Sequence, residues 1–160
     1  MFLIKSALFA LLLVLARMFS VPELFSPYFG VLFAVGFIAY SMELALVVMG
    51  IFLITDSLLG NWSGSWMVLS FTVGFFLIGS LSQTVAQTTY RGFLGITTFY
   101  LISNTYVWYG STFYPQTVQG LALSIIAGWP FYQAQLMGLF AVMGGLHFTR
   151  VQNTKLVVSY

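Results

Sequence analysis

Long apolar blocks separated by short polar clusters give this chain its pattern, and the block length matches membrane spans better than the period of a surface helix or a half-buried strand. The blocks cover residues 2–19, 28–60, 66–82, 93–109 and 130–148. Between them lie VPELFSP, with Pro22 and Pro27 as breakers, then NWSGSW, then the polar connection QTVAQTTYRG, and finally the stretch after Tyr109. One helix over 28–60 would be about 50 Å long, well beyond a hydrocarbon core of about 30 Å. Two spans meeting near Tyr40 and Glu43 fit better. The pattern therefore predicts an all-α polytopic membrane protein with six transmembrane helices at 2–19, 28–41, 43–59, 66–82, 93–109 and 130–148, the last opening at Pro130 in its first turn.

Two segments need separate treatment. Lys5 ahead of LFALLLVLA looks like the start of a signal peptide, but Arg17 follows and no small-residue cleavage site does, which predicts an uncleaved first span. Residues 114–128, of moderate hydrophobicity after a polar start, are read as a short helix at the outer surface or re-entrant into it. If that segment instead joins the last span, the result is one long helix kinked at Pro130.

Composition reinforces this class. With 60% hydrophobic residues and 5% charged ones, too little polar surface is present to cover a soluble globule, and the mean hydropathy is +0.99. Six spans leave no room for a separate catalytic domain, so residues 1–160 form a single transmembrane domain. Cys 0 excludes disulfides and thiolate metal sites, and His 1 argues against a multi-histidine metal centre. The formal charge of +2 carries orientation rather than nucleic-acid binding. With both termini cytoplasmic, Lys5, Arg91, Arg150 and Lys155 fall inside, while Glu23 and Asp56 fall outside. Arg17 is the exception: it lies roughly 18 Å along the helix from Lys5, in the outer half of the membrane, where Glu23 or Asp56 is its natural partner.

This topology collects the unusual polar residues at the outer ends of three hairpins. Arg17 and Glu23 belong to the first, Asp56 and Asn61 to the second, and Asn104, Trp108, Tyr109, Tyr114 and Gln116 to the third. Carboxylates and amides beside aromatic rings suit a small, partly flat organic ligand, the rings stacking and the polar groups orienting it. Each residue also has a structural role open to it. Trp and Tyr gather at membrane interfaces without binding anything, Asn104 serves equally as glue between helices, and Asp56 serves as a capping carboxylate or the partner of Arg17. His147, beside Arg150 near the inner end of the last span, reads as an interfacial histidine rather than a pigment or haem ligand.

No Walker loop, HExxH, GxSxG or paired-carboxylate arrangement occurs, so the chain is not expected to be an enzyme and no cofactor is implied. Small residues at helix-contact spacing, Ser6 with Ala10, Gly30 with Ala34 and Gly74 with Gly79, allow close packing but specify no partner.

Four segments carry a resemblance over most of the chain: LFSPYFGVLFAVGFIAY, ITDSLLG, SNTYVWYGSTFYPQTVQGL and AGWPFYQAQLMGLFAV. With them the chain resembles an uncharacterised family of small bacterial membrane proteins similar to the substrate-binding S components of energy-coupling-factor (ECF) vitamin transporters. The resemblance implies a six-helix S-component-like bundle in the bacterial inner membrane that captures a vitamin-like metabolite at its outer face, driven by a transmembrane coupling subunit with ATPases. S components commonly meet that subunit through an AxxxA face on the first span, where this chain has only Ser6 and Ala10. Solitary cobalamin-related members use a cysteine, which this chain lacks.

Substrate capture for uptake is thus the first expectation, with Arg17, Asp56, Asn104 and Trp108 as leading contacts. The alternative is a structural accessory subunit of a larger respiratory or photosynthetic membrane complex, for which the aromatic content of 19% is the attraction. A channel fits less well, since no polar series continues along one helix to the inner face.

Overall fold

The computed structural model describes Leu8, Leu11, Leu12, Val14 and Leu15, residues 28–39, positions 46, 47, 50, 51, 53, 54, 57 and 58, and residues 65–158. For 65–69 and 150–158 the backbone alone is described. Among these residues the fold is all-helical, with four principal helices: α1 (Tyr28–Ala39), α2 (Ser65–Ser80), α3 (Val85–Gly110) and α4 (Val118–Val158). The described positions between 46 and 58 are helical too, and Val47 and Ile51 among them pack against the core.

Helix α1, YFGVLFAVGFIA, is apolar on every side, and such a helix belongs in the middle of a bundle. It touches α2, α3 and α4, with Leu32 and Phe33 fully buried. Around it the core is a set of edge-to-face rings: Phe29 meets Phe75 at 4.8 Å and Phe99 at 5.1 Å, and Phe71 meets Phe99 at 5.0 Å. Phe29 faces Phe75 and Gly36 faces Ser80, so α1 and α2 run parallel. The α2–α3 and α3–α4 pairs are antiparallel, each joined by a short connection.

Two backbones come closest where α1 crosses α2. A Cβ on Gly36 would run into the Phe76 carbonyl oxygen, and one on Gly79 into that of Phe33. Only glycine at both positions lets the helices interlock. Gly30 abuts the α4 backbone, 2.7 Å from the Gly138 carbonyl oxygen for an added Cβ, whereas Gly74 has nothing within 4 Å. The predicted Gly74 and Gly79 pair therefore splits, the second residue packing and the first facing an open groove.

Helix α3 begins well before the predicted residue 93. The TVAQ stretch read as a polar connection is a helix start: Thr84 Oγ1 accepts from the Gln87 amide at 3.1 Å, and the Gln87 side chain accepts from the Gln83 amide at 2.9 Å. A Thr followed three residues later by Gln is a recognisable capping pattern. From there Val85, Thr88, Gly92, Ile96 and Tyr100 form one buried stripe at helical spacing.

Helix α4 settles the status of residues 114–128. No separate surface helix is present, because one helix runs unbroken from Val118 through Pro130 to Val158. Thr117 starts it, its hydroxyl accepting from the Gly120 amide at 3.1 Å.

Six spans are not what the described helices support. Among the described residues only Val118–Thr149, 32 residues of mean hydropathy 1.2, is long and apolar enough to cross a membrane. The described parts of α1 and α2, 12 residues and 16, cover about 18 and 24 Å. Helix α3, at 26 residues, is long enough, but its threonines and amides lower its hydropathy.

Candidate functional site

Five predicted site residues, Asn104, Trp108, Tyr109, Tyr114 and Gln116, fall where α3 gives way to α4, and the structure joins two of them, Trp108 and Gln116, in one local hydrogen-bond network. Ser111 closes α3, its amide and its hydroxyl both donating to the Val107 carbonyl at 3.1 and 2.6 Å. The chain then folds back over the last turn of α3. Trp108 Nε1 donates to the Pro115 carbonyl at 2.9 Å, and Gln116 Nε2 donates to the Trp108 carbonyl at 2.6 Å. The Pro115 carbonyl also accepts the Thr117 amide at 2.8 Å, which ties the loop to the start of α4. Gly120 closes this turn, since a Cβ there would strike the Pro115 carbonyl oxygen. Trp108 and Gln116 thus act first as a clasp.

The clasp leaves rings uncovered. Tyr109 is 76% exposed and Phe113 83%, Tyr106 lies exposed one turn below, and Trp108 and Tyr114 are half-buried. Trp108 and Tyr109 are tilted neighbours at 6.5 Å between ring centres. This end of the molecule is a rigidly supported aromatic platform, able to stack against a flat ligand or to sit in an interfacial layer.

Asn104 is engaged one level deeper. Its Nδ2 donates to the Tyr100 carbonyl at 2.8 Å, its backbone carbonyl accepts the Ser124 hydroxyl at 2.8 Å, and its amide lies against Gly128. Below it, Tyr100 donates through its hydroxyl to the Ile125 carbonyl at 2.5 Å and stacks on Tyr132 with ring centres 4.6 Å apart. The Tyr132 hydroxyl and Thr97 Oγ1 share a hydrogen bond of 2.9 Å, and Trp129 packs 5.5 Å from Tyr132. Thr97, Tyr100 and Asn104 form one ladder from α3 onto α4, bracketing Pro130. Sequence reading singled out Asn104 alone, although the i, i+3, i+7 spacing of the three marked a common face.

Arg17, Glu23, Asp56 and Asn61 lie outside the described residues, as do the spans 2–19 and 43–59 for most of their length. Among the described residues no three His, Cys, Asp or Glu side chains gather to hold a metal.

A family model matches residues 2–156, nearly the whole chain. The chain belongs to the DUF6580 family. DUF6580 is a family of unknown function, and membership carries no link to S components or to vitamin transport. Comparison with curated proteins and with solved structures gives no match.

The opposite end of this DUF6580 chain has a different character. Arg91 lies near the start of α3, its Nη1 donating to the Leu81 carbonyl at 2.9 Å and to Ser82 Oγ at 3.4 Å. His147 is exposed on α4 at the same end, beside a shallow groove of about 510 Å³ that it shares with Val85, Tyr90 and Phe140. Arg150 and Lys155 lie further along α4. One end of the DUF6580 bundle is therefore basic and the other aromatic.

Proposed function

We propose that this chain is a multi-pass protein of the bacterial inner membrane that captures a small, partly aromatic metabolite at its Trp108 to Gln116 end, as an S-component-like subunit. The single observation carrying the capture reading is the clasped loop, which holds Tyr109 and Phe113 uncovered on a fixed support. Uncovered rings on an immobilised loop bind with little further loss of conformational freedom.

Several features support membrane embedding. Only 22% of the apolar window of α4 is buried by the rest of the bundle, unlike the core helix of a water-soluble domain. Ile126, Phe131 and Phe148 are each at least 65% exposed along it, and an apolar face of that extent requires lipid or a partner. The polar side chains of α3 are satisfied within the helix: the hydroxyls of Thr88, Thr89, Thr97, Thr98 and Thr105 each donate to the carbonyl four residues earlier. A helix so satisfied is compatible with hydrocarbon despite its modest hydropathy. Tyr90 and Trp108 on α3 are separated by roughly 27 Å, close to the thickness of the hydrocarbon core. Parallel α1 and α2 require a crossing between them, which a span at 43–59 supplies in the six-span reading.

The second reading, an accessory subunit of a larger membrane complex, draws on one specific observation. Asn104, Trp108 and Gln116, three of the polar residues expected to line an outer pocket, are engaged in the clasp and the α3–α4 ladder, while a roomy groove between α2 and α3 is apolar and lateral. Native mass spectrometry of the protein released gently from its own membrane separates the two. A stoichiometric small-molecule adduct that disappears in Tyr109→Ala and Phe113→Ala supports capture at the loop. An adduct unaffected by both variants removes the site from this loop. A stable complex with other membrane proteins and no metabolite favours the accessory role.

A further inference from the structure

A groove of about 860 Å³ runs between α2 and α3 on the side away from the Tyr100 ladder, a volume within the ordinary range for ligand pockets of about 300–1,000 Å³. Phe71, Gly74 and Ile78 of α2 form one wall, Leu94 and Thr98 of α3 the other, and Arg91 closes one end. Along α2 it spans roughly 17 Å, from Ser70 to Leu81. Its floor is open at Gly74, where an added Cβ would meet nothing within 4 Å. The shape is long, narrow and apolar, with a single cationic head.

Arg91 is the one charged side chain among the described residues. Only its Nη1 is used, on the Leu81 carbonyl and Ser82 Oγ. Those bonds fix the guanidinium plane at the groove mouth and leave Nε and Nη2 without a partner among the described residues. A planar fork held in this way is suited to a phosphate oxygen pair. The positive end of the α3 macrodipole lies at Val85, less than two turns away, and α4 carries Arg150 and Lys155 at this same end of the bundle. The local field thus favours an anion where the apolar groove meets the membrane surface.

We infer that the α2–α3 groove is a binding site for an anionic phospholipid of the inner leaflet, one acyl chain lying along Gly74 and Thr98 and the phosphate held by Arg91. Charge complementarity decides between this occupant and a transmembrane helix of a partner. An apolar helix would fill the groove but leave the unused half of the guanidinium fork unpaired at the membrane edge. The site is distinct from the aromatic platform, which lies at the far end of α3, and it does not depend on whether that platform captures a metabolite.

The test is native mass spectrometry of the full chain after exchange into mixed micelles holding phosphatidylglycerol or phosphatidylcholine with identical acyl chains. One Arg near a membrane surface contributes about 1 kcal/mol toward an anionic lipid, roughly a fivefold preference, so the expected result is retained phosphatidylglycerol over phosphatidylcholine by about that factor. Arg91→Gln should bring the two lipids level. Gly74→Leu should fill the groove and release the retained lipid of either kind, while Gly145→Leu, also in open space, should leave it in place. Thermal unfolding of each variant confirms that the bundle is intact. An undiminished preference in Arg91→Gln, or undiminished retention in Gly74→Leu, overturns the assignment. So does a homodimer that Gly74→Leu dissociates, which would make the groove a seat for a second copy.

Discussion

Gly128 of α4 lies directly against the Asn104 amide of α3: a Cβ at position 128 would stand 2.5 Å from Nδ2 and 2.7 Å from Cγ. Asn104 cannot turn aside freely, because doing so breaks its bond to the Tyr100 carbonyl. Gly128→Ala is therefore expected to cost about 1–3 kcal/mol through overpacking. In Asn104→Ala the obstruction is gone, and adding Gly128→Ala to it should cost little. A double-mutant cycle of thermal unfolding in detergent would show positive coupling between the two positions, and strict additivity would refute the contact.

The α1–α2 crossing should be less forgiving. At Gly36 and Gly79 the neighbouring atoms are main-chain carbonyls, which have no rotamer to change. Either Gly→Ala substitution should cost about 3 kcal/mol or more, or prevent accumulation of folded protein, because whole helices must separate. Gly74→Ala, on the same helix but facing the open groove, should be neutral or slightly stabilising from helix propensity alone. Comparing folded yields across the three variants by size-exclusion chromatography decides the point. Equal yields would mean that the helices do not interlock at Gly36 and Gly79.

What the sequence made legible depended on whether local chemistry alone decided the outcome. Helices α1 and α2 lie in continuous apolar runs bounded by proline or by a glycine and serine cluster, which leave few alternatives to a helix. The start of α3 was missed for a different reason. QTVAQTTYRG is polar in composition, and the helix there is made by the Thr84 and Gln87 cap and by threonines that bond their own backbone, neither of which a hydropathy average registers. Pro130 misled in the other direction: it marks a first turn when read locally, yet here it sits inside α4, beside the Tyr100 and Tyr132 stack. Trp108 and Gln116 were read as members of one outer cluster of candidate ligand contacts. Their bonding to each other's loop, through Pro115, is tertiary and could not be read from spacing.

Loosening the clasp should expose the connection between α3 and α4. Trp108→Phe keeps a ring but loses the Nε1 bond to the Pro115 carbonyl, and Gln116→Ala loses the bond to the Trp108 carbonyl. Each bond contributes about 1 kcal/mol, so global stability should fall only slightly while residues 111–117 open more often. Limited proteolysis of the purified protein is the measurement. Cleavage within 111–117 should rise several-fold in each single variant and further in the double, and unchanged cleavage would show that the loop is held by other contacts.

Absence of cysteine makes the chain a natural background for mapping which end faces which side of the membrane. Phe113 is 83% exposed in the loop after α3, and Gln83 is exposed just before its start. If α3 crosses the bilayer with its basic end inside, Phe113→Cys should react with a membrane-impermeant maleimide in intact cells, whereas Gln83→Cys should react only after the cells are opened. The two sites are separated by the full 26 residues of α3, about 39 Å of helix, so an orientation lying flat on one surface would give both cysteines the same accessibility. Labelling of both from outside, or of neither, would remove α3 from the set of spanning helices. It would leave α4 as the one crossing among the described helices and undo the separation of an aromatic outer end from a basic inner one.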